Sequence, residues 1–153
     1  MEKVRYKKPE SVKKLEEHAF KKVKKDYPNF PYPVKPKFRD NTTNELTKCV
    51  IAAIELTGGF VERVNSTGNK IETSNGVKWV KGSSKKGTAD LHCLISSISV
   101  KIEIKCKHTN DKQSEAQKQY QKEIEKAGGI YVIVRDFDGF CDWYRKFRKK
   151  HKL

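Results

Sequence analysis

No stretch of the 153-residue chain approaches the ~20 consecutive apolar residues that a membrane-crossing helix requires, so no bilayer span is expected. The lysine-rich start is followed by no apolar block, and no secretory signal is read there. Four cysteines, Cys49, Cys93, Cys106 and Cys141, are scattered without a C-x-x-C pair, which suits reduced thiols in the cytoplasm. His92, Cys93, Cys106 and His108 have a spacing that matches no common zinc pattern. Proline is nearly confined to one place, with four of the five between residues 28 and 36. Acids are scarce: 19 Asp+Glu face 34 Lys+Arg, leaving a net charge of +15.

What is present is clustered. Apolar residues make up 35%, enough for one small core. Residues 1–40 carry 13 Lys and Arg against 6 acids, and residues 135–153 carry 7 against 3. The middle is more balanced, with 14 against 10. The pattern is an acidic site inside a basic collar, and such a surface attracts polyanions, nucleic acid first among them.

Residues 9–27 predict a helix, with Pro9 in the first turn and Val12, Leu15, Ala19 and Val23 on one stripe. "PNFPYPVKPKF" then reads as an extended connector, with a boundary near residue 40 separating residues 1–40 from a domain over 41–153. A second helix is expected over 43–57, and Gly58-Gly59 end it. "FVERV" reads as a strand and "KIETSNGVKWV" as a hairpin about Asn75-Gly76. Ala89–Ile95 and Ser99–Lys105 predict an antiparallel pair. "DKQSEAQKQYQKEIEKAGG" predicts a helix, and "IYVIV" a fully apolar strand, central in its sheet. Phe140, Trp143, Tyr144 and Phe147 mark the packed stripe of a basic C-terminal helix. The fold class is mixed α/β, with helices flanking one sheet.

The two most strand-like runs carry charge. Alternation puts Lys101, Glu103 and Lys105 on one face and Val100, Ile102 and Ile104 on the other, so the charged face is expected to look into a polar cleft. Asp90 opens the neighbouring run and approaches Glu103 if the pair is antiparallel. Two close carboxylates remain ionised together most easily around a cation, and hard oxygen donors suit Mg²⁺ or Mn²⁺. Lys105 is placed to hold or deprotonate an attacking water or to neutralise developing charge. Gln113 and Gln117 share the inward stripe of the following helix, and an inward glutamine needs a partner. Glu45, in the first core helix, is either a site acid or half of a Thr42-x-x-Glu45 capping box.

Asp90, then Glu103-Ile104-Lys105 thirteen residues on, resembles the PD-(D/E)XK nuclease pattern, and the details look most like its VRR-NUC branch. "RVNSTG" at 63–68, "KGTADL" at 86–91, the paired glutamines and "GGIYVIVRD" at 128–136 carry the likeness, which covers roughly residues 44–140. The family usually has proline before the aspartate; here that position is Ala89. The resemblance implies a restriction-endonuclease-like core and a metal-dependent endonuclease acting on DNA, branched or flapped DNA included, in a phage or its bacterial host cell. It makes Asp90 and Glu103 metal ligands with the Ile104 carbonyl as a third, Lys105 the catalytic lysine, Gln117 the helix glutamine and Glu45 the first-helix acid.

Lys78, Lys81, Lys85 and Lys86 surround a Gly- and Ser-rich loop leading to Asp90, and with Lys101 they are the expected phosphate contacts. The N-terminal helix is a basic arm on nucleic acid or a surface for a homodimer. The competing expectation for the whole chain is a nucleic-acid-binding module without catalysis, its carboxylates merely structural.

Overall fold

Helix α1 (Glu10–Asp26) starts directly after Pro9 and buries Val12 and Leu15, one turn apart on the same stripe. Helix α2 (Thr43–Leu56) is capped by Thr42, whose side chain accepts from the Glu45 backbone N–H. It buries Leu46, Cys49, Val50 and Ile54 at helical spacing. The computed structural model describes residues 5–64, 69–80 and 85–153. Strands β1 (Phe60–Arg63), β4 (Leu91–Ile95), β5 (Ile98–Ile104) and β6 (Ile130–Val134) form one sheet in the order β1-β4-β5-β6, while β2 (Asn69–Thr73) and β3 (Gly76–Val80) form a separate two-stranded ribbon. β1 with β4 and β4 with β5 are antiparallel; β5 with β6 is parallel, and the crossover that a parallel pair requires is made through helix α3 (Glu115–Lys126). Helix α4 (Phe137–Lys150) closes the chain.

One face of the sheet is covered by α2 and α4, and α1 packs in turn on those two helices. Leu91, Cys93, Val100, Ile102 and Ile104 share a single buried cluster with Val12 and Leu15 of α1, four apolar residues of α2, and Phe137, Phe140, Tyr144 and Phe147 of α4. Each large aliphatic buried there contributes roughly 1.5–3 kcal/mol relative to exposure. The aromatic stripe of α4 stacks on itself, with Phe140 and Tyr144 ring centroids 5.3 Å apart. The opposite face is covered by α3, whose Tyr120 meets Tyr131 of β6 edge-on at 6.3 Å. The result is a mixed α/β architecture with a mixed sheet between helices.

Two expectations are corrected. β6 is an edge strand, not a central one; its apolar run reflects helices on both of its faces rather than strands on both sides. α3 starts at Glu115 rather than at Asp111, because Ser114 and Gln117 form a capping box there. The helix placed before the residue-40 boundary packs into the same core as the rest of the chain. No helix among the described residues is long and apolar enough to cross a membrane, and all four cysteines are free.

Candidate active site

Convergence of the carboxylates follows from register. Leu91 of β4 stands opposite Ile102 of β5, so one further step sets Asp90 opposite Glu103. Asp90 lies one residue outside β4. Its Oδ2 accepts the Ile104 backbone N–H at 2.8 Å, and its own carbonyl accepts the Val64 N–H at 2.9 Å. The half-buried side chain is thus fixed between β1 and β5.

Glu103 is 0% exposed and Lys105 is 6% exposed. This corrects the expected open cleft: the start of α3 and Tyr131 close over the charged face. Burying Glu103 is tolerable because each oxygen has a donor. Oε1 receives the Gln117 side-chain N–H and lies 3.1 Å from the Lys105 Nζ; Oε2 receives the Tyr131 hydroxyl at 3.5 Å. Lys105 also reaches Asp111 at 3.3 Å.

Gln117 finds the partner an inward glutamine needs and also caps its helix. Its Oε1 accepts the Ser114 N–H at 2.9 Å, completing the cap, and its Nε2 points at Glu103. The reverse amide orientation would set oxygen against carboxylate, so the network fixes it. Gln113 sits one step back, donating to Gln121 at 2.9 Å and to the Tyr131 oxygen at 3.4 Å.

Electrostatics follow from this crowding. Burial pushes the Glu103 carboxyl up to about 7, and the Asp90 charge pushes the same way, against the opposing Lys105 ammonium. Burial works against the Lys105 ammonium, but hydrogen bonds and charge from Glu103 and Asp111 outweigh it and hold its pKa above the ordinary lysine value. Burial, then the Glu103 charge, raises the Tyr131 hydroxyl above the ordinary tyrosine range, so it stays a donor.

The loop entering the site is held by backbone contact. Gly87 adopts φ +79°, and a Cβ there would come within 2.2 Å of the Ala116 carbonyl oxygen. Only glycine lets the loop lie on α3. Lys85 is ion-paired with Glu123 of α3, and Lys86 is exposed. Lys78 is exposed on the ribbon, and Lys101 is half-buried beside the site. Lys81 lies outside the described residues.

Glu45 stands apart from this network. Its carboxylate pairs with Lys48 at 2.8 Å, and no hydrogen bond joins it to Asp90, Glu103 or Lys105. Among the described residues, no three His, Cys, Asp or Glu side chains form a group able to hold a metal ion. A groove of about 880 Å³ between α1, α2 and α4 lies away from these carboxylates. Tyr131 and Asp111 were missed in the sequence; the only hint of Tyr131 was a lone hydroxyl inside an otherwise aliphatic strand. Comparison with protein-family models, with curated proteins and with solved structures returns no match.

Proposed function

We propose that this protein is a metal-dependent endonuclease that hydrolyses DNA phosphodiester bonds, with backbone contacts from its lysines that carry little sequence preference. One observation carries the reading: Asp90 and Glu103 come together from two paired strands, with the Lys105 ammonium 3.1 Å from Glu103. The order α2-β1-β4-β5-α3-β6, with two antiparallel ladders and then a parallel one, supports reading the sheet as a restriction-endonuclease-like core.

Mg²⁺ or Mn²⁺ fits the donors. Asp90 keeps Oδ1 outside its bond to Ile104, Glu103 Oε2 has only the long tyrosine contact, and the Ile104 carbonyl is adjacent in sequence. The mutual repulsion that helps raise the Glu103 pKa is what a cation between hard oxygens relieves. When bound, such an ion supplies Lewis-acid polarisation of the phosphodiester. Lys105, held protonated, neutralises charge developing on the phosphate rather than acting as a base. Gln117 and Tyr131 hold the Glu103 carboxylate in place.

A second reading draws on the burial of Glu103. A carboxyl with no exposed surface and three donors is also what a purely structural residue in a nucleic-acid-binding module looks like. Incubation with branched, flapped and linear DNA, with Mg²⁺ or Mn²⁺ and with EDTA, separates the two. The nuclease reading expects metal-dependent cleavage that Glu103→Ala removes while DNA binding persists. Tight binding with no cleavage of any substrate supports the module.

A further inference from the structure

The β2–β3 ribbon exposes what a folded chain usually buries. Ile71, Val77 and Trp79 are 47%, 65% and 58% exposed. The other tryptophan, Trp143, lies instead in the α4 aromatic stack, 5.2 Å from the Phe147 ring centroid. Neither ribbon strand pairs with any other described strand, and among the described residues every ribbon side chain from Lys70 to Trp79 is exposed. A lone two-stranded hairpin is marginal in water.

Register sorts its side chains. Opposed residues share a face, so Lys70 and Glu72 stand with Trp79 and Val77, and Lys78 stands with Ile71. Tryptophan beside lysine gives a π-face next to a cation, with one acid nearby. The ribbon is also rooted where the chemistry is. It is inserted between Val64 and Asp90, and the Val64 N–H donates to the Asp90 carbonyl at 2.9 Å. Both ends of the ribbon therefore connect along the chain to the Asp90 end of the sheet.

We propose that the ribbon is a base-stacking site for single-stranded nucleic acid, with Trp79 stacking on an unpaired base and Lys70, on the same face, contacting a flanking phosphate. The proposal rests on the nucleic-acid reading above and narrows its substrate to one presenting unpaired nucleotides. Charge favours this occupant: the ribbon is net basic in a chain of net charge +15, and every unpaired base offers a π-face. In a paired duplex those faces are taken by neighbouring bases, so Trp79 has nothing to stack on.

The test uses the full chain in EDTA at low salt, so that binding is read without cleavage. In a Trp143→Phe background Trp79 is the sole tryptophan, and oligothymidylate should quench its fluorescence saturably. In the otherwise native chain, Trp79→Ala should weaken oligothymidylate binding by roughly tenfold or more while changing blunt-duplex binding by less than about twofold. Trp79→Phe should recover most of the loss. Absent quenching, or an equal loss on both DNAs, overturns the proposal. So does a spectral blue shift that grows with protein concentration in the absence of DNA, which would assign the patch to self-association. Failure to cleave DNA in Mg²⁺ would sink the nuclease reading alone and leave this binding result intact.

Discussion

Glu103 carries a proton more tightly in the folded chain than in the unfolded one, its carboxyl standing at about 7 against an ordinary 4.5. The sign of its effect follows. The stabilisation from this proton is complete below about pH 4.5 and is lost as pH rises through about 7, a change of about 3 kcal/mol at most. Glu103→Gln keeps the shape and removes the titration. In metal-free protein the variant should therefore gain stability over the native chain as pH climbs from 5 to 8, read as a widening gap in melting temperature. Mg²⁺ should narrow that gap by stabilising only the native chain; a gap constant with pH would show that this carboxyl is not the titrating group. At this scale Asp90, Glu103 and Lys105 were legible because strand alternation and nearest-neighbour pairing are local properties. Tyr131 was not: its meeting with Glu103 depends on the parallel register of β5 and β6, set by a crossover through α3. Glu45 shows the opposite difficulty, since the same residue satisfies a cap pattern and an active-site pattern, and only tertiary placement separates them.

Elements carry the site by the way they touch. The 85–90 loop lies against the first turn of α3, so it positions Asp90 and Gln117 together. Gly87→Ala adds a left-handed backbone penalty of about 1–2 kcal/mol to a backbone clash with Ala116. Urea denaturation should show a loss of about 3 kcal/mol in all. If the chain is the nuclease proposed above, its metal-dependent cleavage should fall further than the unfolded fraction explains, because the loop must shift Asp90 to relieve the contact. Cleavage that tracks only the folded fraction would separate this loop from the chemistry. Helices α1, α2 and α4 were legible from their apolar stripes, whose spacing is a property of each segment alone. The position of β6 was not, because an all-apolar strand fits either a central position or an edge covered on both faces. The β4–β5 turn likewise hid its character. Ser96 and Ser97 both take positive φ, 46° and 71°, in a tight turn that normally favours Asn-Gly.

For the molecule as a whole, the question is whether residues 1–40 are an appendage. The composition, basic and then proline-rich, reads that way. The packing joins them to everything else. Val12 and Leu15 are 0% and 5% exposed within the common core. Glu16 accepts the Phe38 N–H at 2.8 Å, pinning the end of the connector to α1. Asp40, 2% exposed, takes the Tyr6 hydroxyl at 2.8 Å and the N–H of Phe137, the first residue of α4, at 3.5 Å. Removing residues 1–40 uncovers apolar surface on α2 and α4 and takes the Asp40 carboxylate from the Phe137 N–H, leaving Asp136 as the only cap of α4 among the described residues. Losing the two aliphatic anchors alone costs roughly 5 kcal/mol, comparable with the ~5–15 kcal/mol that holds an ordinary domain folded. The fragment 41–153 should therefore lose cooperative thermal unfolding and bind hydrophobic dyes. A fragment 41–153 that unfolds cooperatively near the melting temperature of the full chain would make α1 a dispensable arm, and the basic helix could then be assigned to nucleic acid alone. If the fragment fails as expected, the lysines of α1 are carried on a structural helix. Their reach toward a phosphate backbone is then fixed by the core rather than by a flexible tether.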